Sequence, residues 1–411
     1  MSTTVAAAEA ALRYNIRPLT PRVPESLRHA LARLDGAGDP EVLTGDAALG
    51  ALGVEGLHPD QVGALRRAVE AEGGRAVIAP DGRAVLLGPS TSLAGAARRL
   101  AAGDRTTADL SAALAAALAG RHPRPALRCG ERRLELGAST LIMGVVNATP
   151  DSFSGDGVAG DVGAAVALAE RLVADGADLI DVGGESTRPG SAPVNAPAEL
   201  RRVLPVLEAL AGRLPVPVSV DTRKAGVARA AIAAGATMVN DVWGLRGDPQ
   251  MAPVLAAHPE VALVAMHNRR GHGDGDLMAE VARDLRESLL VAARHGIDDG
   301  RLVLDPGFGF GKTPAQNLEL LQRWDELGGL GCPLLLGPSR KSTIGLVLGG
   351  APPDQRVEGT LALCVIAVAA GVEMVRVHDV AAVRRGLRVA DAVLRRIPEA
   401  VRLAPSPGPT G

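Results

Sequence analysis

Residues 141–154 read LIMGVVNATPDSFS, a six-residue apolar run followed by Asn147. A run this short suits a strand, and apolar side chains at every position mark one that is covered on both faces. Working outward, seven more runs share the form: LIDVGG from Leu179, PVSVD from Pro217, TMVND from Thr237, VALVAMH from Val261, RLVLD from Arg301, PLLLG from Pro333 and EMVRVH from Glu373. Between them lie segments such as VGAAVALAERLVADG and AGVARAAIAAG, apolar at helical spacing and closed by glycine. The repeat length, roughly 20 to 40 residues, is that of a strand followed by its crossover helix. Most polar residues wait for the strand ends: Asn147, Glu185, Asp221, Asn240 with Asp241, His267, Asp305, Arg340 with Lys341, and Arg376 with His378. A closed (β/α)8 barrel brings all eight ends to one mouth, whereas an open doubly wound sheet gathers only those at its switch point. The pattern therefore predicts an α/β chain built on a TIM barrel.

Upstream, residues 25–34, 60–72, 91–102 and 106–118 carry helical spacing, and RAVIA and RAVLL flank the turn Pro80-Asp81-Gly82 as a hairpin. They predict a small accessory α/β domain over 23–122. Arg121-His-Pro-Arg-Pro125 reads as a linker, because each proline forbids helix continuation. A second hairpin, ALRC and RRLEL around Gly130, opens the barrel domain, 126–398. Residues 1–22 and 399–411, the latter Pro-rich, are expected to be loosely held.

Composition narrows the function. With 47% hydrophobic residues the chain has ample material for a core, while 1% aromatics leaves few rings to stack on bases. A net charge of −2 attracts neither a nucleic acid nor a membrane surface, so an anionic substrate must be met locally. Cys129, Cys332 and Cys364 are odd in number and in no metal-ligand spacing, which suits a reducing compartment and a cytoplasmic location. DPGFGFGKT lacks the GxxxxGK[ST] spacing of a nucleotide-binding loop. Asp181 and Glu185 read as residues that hold the second loop, His272 as solvated, and VRRGLRVADAVLRR as the wet face of the last helix. Asp221 or Asp241, taken singly, could equally well cap a helix.

Taken together in order, GVVNATPDSFS (144–154), DVGGESTRPG (181–190), SVDT (219–222), ND (240–241), MHNR (266–269), DPGFGFGKT (305–313), SRKS (339–342) and RVHDV (376–380) resemble the dihydropteroate synthases. The resemblance covers about residues 127–397. It implies a homodimeric, magnesium-dependent transferase of folate biosynthesis. Such an enzyme joins 6-hydroxymethyl-7,8-dihydropterin pyrophosphate to p-aminobenzoate, giving 7,8-dihydropteroate and pyrophosphate. A pterin-dependent methyltransferase and a non-catalytic pterin-binding barrel are the alternative readings. The hard step is departure of a polyphosphate anion, which preorganised cations and donors favour more than a strong base does. By the resemblance, Asn147 contacts Mg2+, and Arg376 and His378 hold the pyrophosphate; with Lys341 these form the catalytic set. Asp221, Asn240, Met266, Asp305, Phe310 and Lys341 are implied for the pterin, and Thr187, Arg188, Pro189, Phe310 and Ser342 for p-aminobenzoate. The first loop departs from the family, with Gly155 and Asp156 exchanged in DSFSGDG. The first ~120 residues match nothing in the minimal enzyme.

Overall fold

A computed structural model describes residues 3–19, 50–119, 126–149, 161–185, 193–269 and 275–395. The helix expected at 25–34, the linker 121–125, the Gly155-Asp156 exchange and the tail 399–411 lie outside the described residues.

The N-terminal elements are α1 (Thr3–Tyr14), β1 (Arg17–Pro18), β2 (Ala51–Val54), α2 (Pro59–Ala71), β3 (Arg75–Ile78), β4 (Ala84–Leu87), α3 (Ser90–Ala101) and α4 (Arg105–Ala119). The strands pair antiparallel in the order β1-β2-β4-β3. Their two-residue period turns Leu52, Val54, Ala76, Ala84 and Leu86 to one side, where they bury with Tyr14, Leu65, Leu93, Leu110 and Leu114 from the helices. Each such fully buried leucine contributes about 1.5–3 kcal/mol. The expectation of a loose N-terminus needs correction, because Thr3–Tyr14 is helical and Tyr14, Ile16 and Leu19 are buried. An Ala-rich dozen residues is too short to be a stable helix alone, and its order comes from packing on neighbours far along the chain.

After the hairpin β5 (Ala126–Cys129) and β6 (Arg132–Glu135) come the barrel elements: β7 (Leu141–Asn147), α5 (Val162–Ala174), β8 (Leu179–Gly183), α6 (Ala196–Leu210), β9 (Val218–Asp221), α7 (Ala225–Ala233) and β10 (Met238–Asp241). They continue as α8 (Met251–Ala257), β11 (Ala262–Met266), α9 (Leu277–Arg294), β12 (Leu302–Asp305), α10 (Pro314–Gln322), β13 (Leu335–Leu336), α11 (Ser342–Val347), α12 (Val357–Ala369), β14 (Met374–Val377) and α13 (Val380–Leu394). All eight expected strands form, in one sheet ordered β12-β11-β10-β9-β8-β7-β14-β13. Strands adjacent in the chain are mostly adjacent in the sheet, the arrangement that short connections favour. Leu304 N–H of β12 donates to the oxygen of Pro333, and the eight parallel strands form the nearly closed barrel of the expected class.

The chain folds as two compact units. One holds residues 1–122, 241–259 and 264–333; the other holds 123–240, 260–263 and 334–411. The region expected as an accessory domain thus shares its unit with α8, α9, β12 and α10. Cys129, Cys332 and Cys364 are buried free thiols, and burial pushes Cys129 and Cys364 up to about 12.

Candidate functional site

In the unit built on β7, β8, β9, β10 and β14, register decides which side chains meet. Asn147 lies opposite Gly183, Gly183 opposite Asp221, and Asp221 opposite Asn240, so the strand-end residues share one face. Gly144, one step out of phase, faces Leu172 of α5 on the other side. Asp181, two residues before Gly183, therefore shares the polar face. It is fully buried, accepting from Asn240 Nδ2 at 3.0 Å and from Arg376 Nε at 2.7 Å. The same guanidinium donates through Nη2 to Asp221 Oδ2 at 2.8 Å. One arginine of β14 thus reaches over β7 to carboxylates of β8 and β9. Asp181 Oδ1 is buried and takes no hydrogen bond among the described residues.

Asp181, read from the sequence as a loop holder, instead binds two of the residues implied for substrate. The signal is a carboxylate inside the apolar strand LIDVG, in phase with Gly183. Glu185 does hold the second loop, accepting from Val194 N at 3.1 Å and pairing with Lys224 and Arg223. Burial opposes its ionisation, but Lys224, the Val194 amide and Arg223 together hold its carboxyl below the usual range. Arg376, implied for the pyrophosphate, is held by the two carboxylates just described.

Beside this cluster, Asn147 Nδ2 and His378 Nε2 stand 3.4 Å apart, and His378 Nδ1 is 2.9 Å from Ser339 Oγ. Ser339 also accepts from the His378 amide at 3.1 Å, so one hydroxyl fixes both backbone and ring. Arg340 adopts a left-handed φ of 57° and donates through Nε and Nη2 to the two Asp379 oxygens at 2.9 and 2.5 Å. Its amide donates to Thr360 Oγ1, and its carbonyl accepts from Arg356. A strained non-glycine residue held by three partners fixes the SRKS turn. Lys341 is the N-cap residue of α11, and Ser342 begins that six-residue helix, exposed. A cavity of about 360 Å3 reaches Arg340 and His378, with Arg171, Asp175 and Arg385 on its walls.

In the other unit, the loops after β11 and β12 interlock. Gly307 and Gly311 have φ of 71° and 58°, and a Cβ on them would stand 2.0 Å from His267 O and 2.3 Å from Arg269 O. Only glycine permits that approach. Asp305 Oδ1 accepts from Gly307 N at 2.7 Å, and the His267 amide donates to Asp305 O at 2.8 Å. Buried Lys312 donates to Gly307 O at 2.9 Å, to Phe310 O at 3.2 Å and to His267 Nδ1 at 2.8 Å. His267 Nε2 stands 3.3 Å from Asp284. Burial pulls the imidazole down to about 4, so the ring is neutral at pH 7 and accepts from the ammonium. Met266 is buried and Phe310 half-buried at the loop. Asp241 turns out to be structural, accepting from Trp243 N and Leu245 N, with burial pushing it up to about 6. Neither it nor Asp221 caps a helix. Thr187, Arg188, Pro189 and His272 lie outside the described residues.

An eight-stranded parallel barrel whose strand ends present amide, carboxylate, guanidinium and imidazole groups defines an enzyme of the pterin-binding barrel class. The family model of the pterin-binding enzymes matches residues 143–378. A dihydropteroate synthase of Bacillus subtilis is 45% identical over 62% of this chain and 90% of its own length. One from Clostridium beijerinckii is 44% identical over 66% of this chain and all of its own length. The solved Xanthomonas albilineans dihydropteroate synthase with 4-aminobenzoic acid has 48% identity and a TM-score of 0.62, covering 66% of this chain and 98% of that one. That from Burkholderia cenocepacia, complexed with 7,8-dihydropteroate, has 40% identity and a TM-score of 0.60, covering 66% and 97%. The chain belongs to the pterin-binding enzymes and, within them, to the dihydropteroate synthases, which are alkyl-group transferases.

Proposed function

We propose that the chain condenses 6-hydroxymethyl-7,8-dihydropterin pyrophosphate with p-aminobenzoate. The observation that carries this reading is the joint hold of Asp181 and Asp221 on Arg376, with Asn240 bonded to Asp181. Carboxylates and an amide along one edge can accept from the amino and imino protons of a pterin, and a buried polar edge rejects rings without them by about 10⁴–10⁵. Asp305, Lys341, Met266 and Phe310 are the further pterin contacts under this reading, and Thr187, Arg188, Pro189, Phe310 and Ser342 take the p-aminobenzoate.

Chemically, the bond from the pterin methylene to the diphosphate oxygen breaks with its electron pair going to oxygen. The amine lone pair then forms the carbon–nitrogen bond, and the amine releases one proton. Arg376 is suited to the leaving anion, where a charged hydrogen bond contributes about 1.5–3 kcal/mol, and His378, fixed by Ser339, is the further diphosphate contact under this reading. Asn147 fits a hard cation: its Nδ2 is turned to His378, leaving Oδ1 to bind. No group of three or more His, Cys, Asp or Glu suited to a metal occurs among the described residues, so diphosphate oxygens and water would complete the shell of Mg2+. Bound there, the ion would neutralise charge on the leaving group.

The same proposal extends to a homodimer and a cytoplasmic location. Leu346 and Val347 of α11 with its C-cap Leu348, Ile366 of α12, and Val389, Val393 and Leu394 of α13 are exposed apolar side chains on three helices that pack together. Such a patch suits a second copy of the chain. Among the described residues no helix is long and apolar enough to cross a membrane. Pyrophosphate release, measured with and without p-aminobenzoate, tests the reaction. Release that depends on p-aminobenzoate supports it. No release, with methyl transfer from a reduced folate, would identify the methyltransferase alternative, and pterin binding without turnover a mere binding barrel.

A further inference from the structure

The family match begins at residue 143, so the N-terminal elements lie outside it. Their attachment to α9 and α10 is ionic and directional. Asn15 leaves α1 with a left-handed φ of 40° and donates to Ala279 O at 3.0 Å, while Arg286 of α9 donates back to Asn15 Oδ1 and Ile16 O. Arg17 then donates to Glu326 Oε2 at 3.1 Å, Asp276 Oδ2 at 3.3 Å and Glu55 Oε1 at 3.2 Å. Arg323 donates to the Asp276 oxygens at 3.0 and 3.1 Å and to Glu326 Oε1 at 2.7 Å. Two guanidiniums and two carboxylates close a ring in which no side chain is more than 9% exposed. Burial opposes ionisation of Asp276, yet Arg17 and Arg323 hold its carboxyl well below the usual range.

Both ends of the ring lead to the loops after β11 and β12. Asp276 is the N-cap of α9, accepting from Met278 N and Ala279 N. Glu280 in the first turn of α9 pairs with Arg269, which donates to Gly311 O at 3.0 Å and Gln316 Oε1 at 3.1 Å. Gln316 in turn completes the capping box that Thr313 makes at the start of α10, and Arg323 is the C-cap of α10. A buried ion ring is a poor source of stability compared with apolar packing, but it closes only when its members are in register. Its contribution is therefore geometric.

We propose that Arg17 is a positioning residue. Through it the N-terminal module buttresses the starts of α9 and α10, and so sets the loops that follow Met266 and Asp305, the second of which carries Phe310. The consequence for substrate rests on the reading of those three residues as pterin contacts; the buttress itself does not. In the full-length chain, Arg17→Met and Arg17→Lys are compared with Arg294→Ala, which removes only an exposed pair with Glu9. Hydrogen exchange over residues 306–313 is expected to quicken by about tenfold in Arg17→Met, partly recover in Arg17→Lys, and stay unchanged in Arg294→Ala. KM for the pterin pyrophosphate is expected to rise about tenfold while that for p-aminobenzoate stays within about twofold. Unaltered exchange over 306–313 in both Arg17 variants overturns the buttress. If Arg17→Met does not fold, Arg17→Lys decides alone on the same criterion. A wild-type chain that binds no pterin overturns the substrate reading instead, and the exchange result still decides the buttress.

Discussion

Arg376 carries two duties, since it neutralises Asp181 and Asp221 while the proposed chemistry gives it the leaving group. Arg376→Ala is expected to cut kcat about 100-fold or more with little change in p-aminobenzoate binding. It also leaves Asp181 buried without its cation, so urea unfolding at pH 7 should report a loss of about 3 kcal/mol. Unchanged turnover would remove the arginine from the mechanism. His267 gives a second test at this scale. Its ordinary value near 6.5 falls to about 4 in the folded chain, so on acidification the unfolded chain takes the proton first. Stability from this group is complete above about pH 6.5 and is lost as pH falls toward 4, by about 3 kcal/mol in total. Urea midpoints at pH 7 and pH 4.5 should separate more in wild type than in His267→Gln. Equal separation would mean that the imidazole is not buried as a neutral acceptor.

Loops and strands set the next scale. The β12 loop owes its shape to Gly307 and Gly311, whose missing side chains let the backbone of His267 and Arg269 approach. Gly307→Ala must adopt a left-handed φ and displace a carbonyl, and is expected to cost more than about 2 kcal/mol. Gly73→Ala, also at positive φ but with nothing within 4 Å, should cost only about 1 kcal/mol. Thermal melts of the two variants make the comparison, and equal losses would mean that close approach is not what the loop needs. Strand positions were readable because an apolar run ending in a polar residue has one physical meaning in a two-sided sheet. Asp181 escapes that pattern because this carboxylate sits inside a strand rather than at its end. Its parity with Gly183 and Asp221 carries the information, but only register reveals that Arg376 reaches it over β7. The arginines of the last helix do not by themselves mark its wet face. Arg384 is drawn to Gly176 O and Asp178, whereas Val389 and Val393 stand 67% and 79% exposed.

At the scale of the whole molecule, that exposed apolar patch is the face the proposed dimer would bury. Val389→Glu with Val393→Glu places charge in the proposed interface and should shift sedimentation from dimer to monomer, while the monomer's far-UV spectrum is kept. A wild-type chain that sediments as a monomer at micromolar concentration would end the dimer proposal. The two compact units also divide the chain differently from its sequence order, since 1–122 groups with residues 241–259 and 264–333. Nothing in the composition of the first helix announces this. Its anchors are Asn15 and Arg17, ordinary polar residues until Glu326, Asp276 and Arg286 are brought beside them from some 260 to 310 positions away.

The linear chain by itself determined the eight strands, their order, the hairpins and the ordered motifs of the family. These depend on local periodicity and on residue types at strand ends, which neighbours in sequence already express. Tertiary structure alone decided that Asp181 meets Arg376 of β14, that Lys312 braces the β12 loop against His267, and that the first helix is built into the fold. Each of those depends on a charge or donor meeting its complement across a long loop, and a buried polar group's role is defined only by the partner that folding supplies.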